Sequence, residues 1–241
     1  MGAELTITLW WWVGWRPLYQ IQHVNAAARM IRDRIKVPHR IVLLTDQDAK
    51  GAEVDKVLPI PQDPPGTSFP SGINCYRRLR LADPSFSCQF GTEWVMSIDI
   101  DVLILEDVTE QIRWAMNDFG FCILRGRLAV EAGQRPYNGS IYLLRVGEHR
   151  HVWDDFSYDT SPAECVASGW RGSDQTWLSL KLQGAPTLGP EHGFYFYEQY
   201  LDSDEAEPEA KMIHYAGMMK PWSKVCKRRT PELYEEYARY L

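Results

Sequence analysis

The chain has 241 residues, 45% of them hydrophobic, and carries 26 Lys and Arg against 32 Asp and Glu, a formal net charge of −6. That length and apolar share suffice for one sizeable core, and the negative balance disfavours a generic nucleic-acid binder, whose affinity comes from a basic face meeting phosphates. Five cysteines, odd in number and without a C-x-x-C pair, argue against a disulfide frame or zinc site and for reduced thiols in a cytoplasmic protein.

At the start, Glu4 precedes the apolar run, no basic leader is present, and Gly14, Arg16 and Pro17 interrupt the pattern, so neither a secretory signal nor a membrane span is expected. Leu5 to Val13 reads as a strand stopped by Gly14. Pro17 then opens a segment, Leu18 to Ile35, with Ile21, Val24, Ala28, Ile31 and Ile35 at helical spacing. Arg40 to Leu44 and Val54 to Ile60 read as further strands, the second followed by a Pro/Gly-rich loop from Pro61 to Gly72. Three βα-like steps thus precede the most informative stretch of the chain.

That stretch is an apolar strand, Val95 to Ile98, ending in Asp99-Ile100-Asp101 and resuming as Val102 to Leu105. Residues two apart in extended backbone point to the same side, so the two carboxylates would stand together where a buried strand surfaces. Paired anions suit a hard divalent cation such as Mg²⁺ or Mn²⁺, which takes oxygen ligands and is commonly shared with phosphates. An isolated D-x-D is more often a solvated turn, so the reading needs support elsewhere. Downstream, a helix over Thr109 to Met116, strands Phe119 to Leu124 and Ser140 to Val146, and a helix Gln175 to Leu182 behind Ser173 continue an α/β alternation. In such sheets ligands gather at the carboxyl ends of strands, where the aspartates fall. A last helix has Thr230 as N-cap, Pro231 at its first position, and Leu233, Tyr237 and Leu241 on one face.

Three more segments concentrate polar chemistry: Tyr137-Asn138-Gly139-Ser140, Gly172-Ser173-Asp174-Gln175, and His214-Tyr215-Ala216-Gly217-Met218-Met219-Lys220-Pro221-Trp222. His214 is an imidazole able to complete a mixed nitrogen and oxygen metal site, or a hydrogen-bonded core histidine. Gly217 lets backbone N–H groups approach a phosphate, or simply forms a turn. Lys220 is a charge for the same anion, or a solvated loop lysine. Asp174 and Gln175 would lie in a first helical turn, where an acid is also favoured by the helix dipole. Asn138 could bond a sugar hydroxyl or hold a turn. Trp10-Trp11-Trp12, with Trp15 behind, supply core packing or, at Trp12 or Trp15, a ring on which a base could stack.

In this order, the segments resemble the metal-dependent glycosyltransferases of the GT-A fold, in particular family 8, the glycogenin and galactosyltransferase-like group, over roughly half the chain. The resemblance implies a single α/β domain over 1–241, GT-A-like (Rossmann-like), with a mixed, mostly parallel sheet flanked by helices, a nucleotide-binding half of about 1–106 and an acceptor and metal-completing half of about 107–241. It implies Asp99, Asp101 and His214 on Mn²⁺ or Mg²⁺. Asp174, Gln175 and Asn138 would line the reacting sugar, and Trp12, Trp15, Arg78, Gly217 and Lys220 would hold a nucleotide-sugar donor, most simply a UDP-sugar. The His-to-Lys motif is spelled in full. Asn138-Gly139-Ser140 departs from the pattern, which has a small residue before the glycine.

The expected activity is sugar transfer with retention of anomeric configuration, since the motifs contain no evident general base. A glycan or small-molecule acceptor is favoured; the basic residues Arg125, Arg127, Arg135, Lys224, Lys227, Arg228 and Arg229 leave modified DNA as the second choice. No membrane partner is expected. Two rival readings are a haloacid-dehalogenase-like phosphatase, which the late position of the D-x-D and Leu103 fit badly, and a non-catalytic carbohydrate-binding protein built on aromatic platforms. The second would not need His214, Lys220 and two aspartates together.

Overall fold

The computed structural model describes residues 4–12, 18–63, 75–127, 136–170, 174–203 and 209–241. The first strand, Leu5–Trp11 (β1), is followed by the helix Ile21–Arg34 and by His39–Thr45 (β2) and Lys56–Pro59 (β3). A 3-10 helix, Tyr76–Ala82, leads to Trp94–Ile98 (β4), Val102–Ile104 (β5), the helix Thr109–Asp118, Phe121–Arg125 (β6) and Tyr137–Arg145 (β7). Beyond the helix Asp174–Lys181 come Thr187–Leu188 (β8), Phe194–Phe196 (β9) and Met212–His214 (β10), then the helices Lys224–Arg229 and Pro231–Ala238.

The main sheet has seven strands in the order β3-β2-β1-β4-β7-β6-β8. β1 runs parallel to β2 and β4, β2 to β3, and β6 to β8, while β7 is antiparallel to both β4 and β6. This is the mixed, mostly parallel sheet expected. Leu5, Ile7 and Leu9 face a core with Val24, Ala28 and Ile31 of the first helix, and Trp10, Val42, Leu44 and Val95 face a second core with Tyr142, Trp177 and Leu178. Burial on both faces keeps charge out of β1 and β4, whose only polar residues, Thr6, Thr8 and Ser97, are themselves buried.

Several expectations are corrected in detail. The first strand ends at Trp11, and Val13, Gly14, Trp15 and Pro17 lie outside the described residues. β2 and β3 are joined without a helix, so the early βα alternation is broken at that step. β5 leaves the main sheet and pairs antiparallel with β10, which runs parallel to β9, in a separate three-stranded sheet. Thr230 is the N-cap of the last helix as expected, but its side chain makes no capping bond: the hydroxyl donates back to the Cys226 carbonyl at 3.3 Å. Leu233 and Tyr237 are buried as expected, but Leu241 is 48% exposed.

Two features position a site. β4 and β7 run in opposite directions side by side, so the chain's polarity changes where β4 ends, the kind of place at which open α/β sheets leave a ligand crevice. β7 also carries a bulge: Ile123 opposes Tyr142 but Leu124 opposes Asn138, so the residues between re-aim the backbone at the end of β4. The Asp99 N–H donates to the Ser140 carbonyl at 2.8 Å, tying the two strands there. No helix among the described residues is long and apolar enough to cross a membrane.

Candidate metal centre and donor site

Asp99 and Asp101 do converge, though not by the extended geometry expected. β4 stops at Ile98, and residues 100 and 101 form a turn that throws the chain into β5 in the second sheet. β10, the partner of β5, delivers His214 directly opposite Val102. One ligand atom each from Asp99, Asp101 and His214 then lies within 4.8 Å of the others.

The surroundings are dry. His214 is 4% and Asp101 3% exposed, and burial pushes the His214 imidazole down to about 4, leaving it neutral with a lone pair at neutral pH. Burial likewise pushes Asp99 up to about 6, with Asp101 adding to the rise and the Arg78 guanidinium opposing it. Asp101 Oδ1 is buried and has no hydrogen-bond partner among the described residues. Two carboxylates, a neutral imidazole and orphaned lone pairs fit a hard divalent cation such as Mn²⁺ or Mg²⁺. Among the described residues no other group of three such donors comes together.

Fixed cations flank this group. Arg78, from the 3-10 helix before β4, is 5% exposed and forks between Asp99 at 2.5 Å and Asp174 at 2.7 Å. Planar guanidinium geometry suits such double duty. Lys220 is not a solvated loop lysine: it is 4% exposed and its Nζ pairs with Asp101 Oδ2. The Tyr19 hydroxyl donates to the same oxygen at 3.0 Å, and Asp101 and burial drive the phenol's pKa far up. Three carboxylates thus face two fixed cations, a net negative balance that favours a further positive charge.

Asp174, Gln175, Gly139 and Asn138 gather on the other flank. Asp174, 1% exposed, begins its helix one residue earlier than expected; Ser173, its expected cap, lies outside the described residues. A Cβ on Gly139 would fall 2.7 Å from Asp174 Oδ2, so only glycine lets β7 approach the Arg78–Asp174 pair. The Gly139 N–H meets Gln175 Oε1 at 3.4 Å. Asn138 holds the bulge: its Oδ1 accepts from the Ser140 N–H at 2.9 Å.

The remaining sequence candidates are less engaged. Gly217 is exposed in a turn with φ of +60°, a conformation that accounts for glycine without a ligand. Trp12 is half-buried, edge-on to Trp10, with the Arg77 guanidinium 5.6 Å from its ring centroid. Trp10 is core, its indole N–H donating to Ser97 Oγ at 3.1 Å. Trp15 lies outside the described residues. Sequence reasoning missed Tyr19, which no motif marks, and passed over the side chain of Ser140 within a segment it had quoted.

No protein-family model and no curated protein sequence matches the chain. Solved structures do. A galactosyltransferase, LgtC, in complex with donor and acceptor sugar analogs aligns over 97% of this chain and 95% of its own with a TM-score of 0.64 at 15% identity. The glycosyltransferase GlyE of Streptococcus pneumoniae TIGR4 aligns over 97% of this chain and 60% of its own, with a TM-score of 0.61 at 14% identity. The bifunctional glycosyltransferase WbbM aligns over all of this chain and 50% of its own, with a TM-score of 0.60 at 13% identity. The fold is therefore the GT-A glycosyltransferase fold that the ordered motifs implied.

Proposed function

We propose that the chain is a metal-dependent glycosyltransferase that moves a sugar from a nucleotide-diphosphate donor, a UDP-sugar in the first instance, to a glycan or small-molecule acceptor with retention of configuration. The observation that carries this reading is the meeting of Asp99, Asp101 and His214 beside the Arg78–Asp174 pair at the end of β4, in a GT-A fold. A Mn²⁺ or Mg²⁺ ion held by Asp99, Asp101 and His214 would offset the charge that builds on the leaving diphosphate.

The chain's own groups do the rest. Lys220, already beside the aspartates, exchanges part of its contact with Asp101 for a donor phosphate, with the Gly217 turn alongside. Arg78 fixes the positions of both Asp99 and Asp174. Asp174 and Gln175, with Asn138 and the bulge it shapes, border the sugar. Trp12 or Trp15 takes the base. In this division residues of about 1–106 bind the nucleotide, and residues of about 107–241 complete the metal and diphosphate site and bind the acceptor.

Retention is supported by the state of the carboxylates. Asp99 and Asp174 are tied to Arg78 and Asp101 to Lys220 and Tyr19, so none stands ready as the strong base that inversion needs. The cytoplasm is the proposed compartment, on the reduced cysteines, all five of which are free. Incubation with labelled UDP-sugars in Mn²⁺ and in EDTA tests the activity, and the anomeric proton of the product, read by NMR, tests the stereochemistry. Metal-independent transfer, or an inverted linkage, overturns the corresponding part.

A further inference from the structure

Ser140 stands where none of the proposed roles uses its side chain, yet it is 5% exposed and in the middle of the site. Its Oγ lies 3.1 Å from His214 Nε2. The same residue accepts the Asp99 N–H at its carbonyl, at 2.8 Å. Two of the three proposed cation ligands therefore have Ser140 as a common neighbour, His214 through its hydroxyl and Asp99 through its backbone.

The backbone holds that hydroxyl firmly. The Ser140 N–H donates to Asn138 Oδ1 at 2.9 Å, and the Ser140 carbonyl accepts from the Asp99 N–H at 2.8 Å. The β7 bulge turns this stretch toward the end of β4. A serine hydroxyl has one proton and two lone pairs, so it can donate to one neighbour and still offer an oxygen lone pair. It is a hard, neutral donor, compatible with Mg²⁺ and Mn²⁺. In a site that already gathers three carboxylates, a neutral oxygen adds coordination without adding negative charge.

Resting on the reading of Asp99, Asp101 and His214 as a cation site, we propose that the Ser140 hydroxyl is a fourth protein donor to that cation. Asn138 is then a positioning residue for the donor, acting through the Ser140 backbone.

The test uses the whole chain and Mn²⁺ alone. Free Mn²⁺ is followed by electron paramagnetic resonance, and waters on the bound ion are counted from hyperfine coupling in ¹⁷O-labelled water. Ser140→Ala should weaken Mn²⁺ binding by about tenfold and add one bound water. Ser140→Cys offers a soft donor at the same place, so it should gain a cadmium-thiolate charge-transfer band beyond any that the five native thiols give in the wild type. Wild-type binding with an unchanged affinity or water count in Ser140→Ala overturns the fourth donor and leaves the three-ligand site standing, as does Ser140→Cys without a new band. A weakened affinity without the added water assigns Ser140 to holding the imidazole and also overturns it. No Mn²⁺ binding by the wild type overturns the cation site itself.

Discussion

Lys220 Nζ pairs with Asp101 Oδ2 with both side chains almost out of water, 6% and 4% exposed. A positive charge from the chain thus neutralises one of the aspartates proposed to hold the cation. Removing one partner of a buried pair leaves the other uncompensated, at a cost of about 3 to 5 kcal/mol. Lys220→Ala should therefore lose stability on that scale in EDTA, with Tyr19 retaining one hydrogen bond to Asp101. Mn²⁺ should restore more stability to the variant than it adds to the wild type, because the ion supplies the missing charge. Denaturant midpoints with and without Mn²⁺ measure both effects. A wild-type midpoint in EDTA would mean that Asp101 is solvated.

His214→Ala removes a neutral ring and leaves the charges of the site intact. Donor hydrolysis and sugar transfer should each fall by about a hundredfold or more, the scale seen when a group stabilising developing charge is lost, while circular dichroism stays that of the wild type. Activity unaffected by the substitution or by EDTA would contradict the metal centre.

Gly139→Ala tests the close approach of β7. The added methyl would meet Asp174 Oδ2 at 2.7 Å and Arg78 NH2 at 3.3 Å, and Asp174 is held by Arg78 Nε at 2.7 Å. Relief requires moving the pair or the strand, at about 1 to 3 kcal/mol for an overpacked methyl. The expected result is a loss in kcat larger than any change in donor KM. An unchanged kcat would show that the pair can shift freely.

Acid should weaken the metal-free chain. His23, stacked on Trp222 at 3.9 Å, and His214 are both pushed down to about 4 by burial. Between about pH 6.5 and 4 the unfolded chain therefore binds two protons that the folded chain refuses, and stability falls as pH falls. Asp99, raised to about 6, works the other way, since below that pH the folded chain takes up its proton first. These three groups leave one net proton below pH 6, a slope of about 1.4 kcal/mol per pH unit, and His39 and His149, also pushed down by burial, steepen it. Urea unfolding in EDTA at pH 6 and pH 5 reads the slope, and His23→Phe should flatten it. A stability that rises on acidification would contradict buried, neutral histidines.

Local pattern made most strands and the longest helices legible. The apolar run of β1 and the spacing of Ile21, Val24, Ala28 and Ile31 reflect burial periods that the chain carries in any context. The proposed cation ligands were legible for another reason: they belong to short ordered segments, D-x-D and His214 to Lys220, whose chemistry is recognisable before their geometry is known. Even there the local argument was wrong, because a turn into a second sheet, not an extended strand, brings Asp99 and Asp101 together.

What the sequence determined by itself was the α/β class, the motif order and the identity of the three cation ligands proposed. Tertiary structure decided the partners: Lys220 on Asp101 across 119 residues, Tyr19 on Asp101 across 82, Ser140 against His214 across 74, and Arg78 forked between Asp99 and Asp174. Such pairings leave no periodic trace, because they depend on which strand ends meet at one edge of a sheet. The reversal of β7 beside β4 and the pairing of β5 with β10 place those ends together, and water is excluded only once they have met.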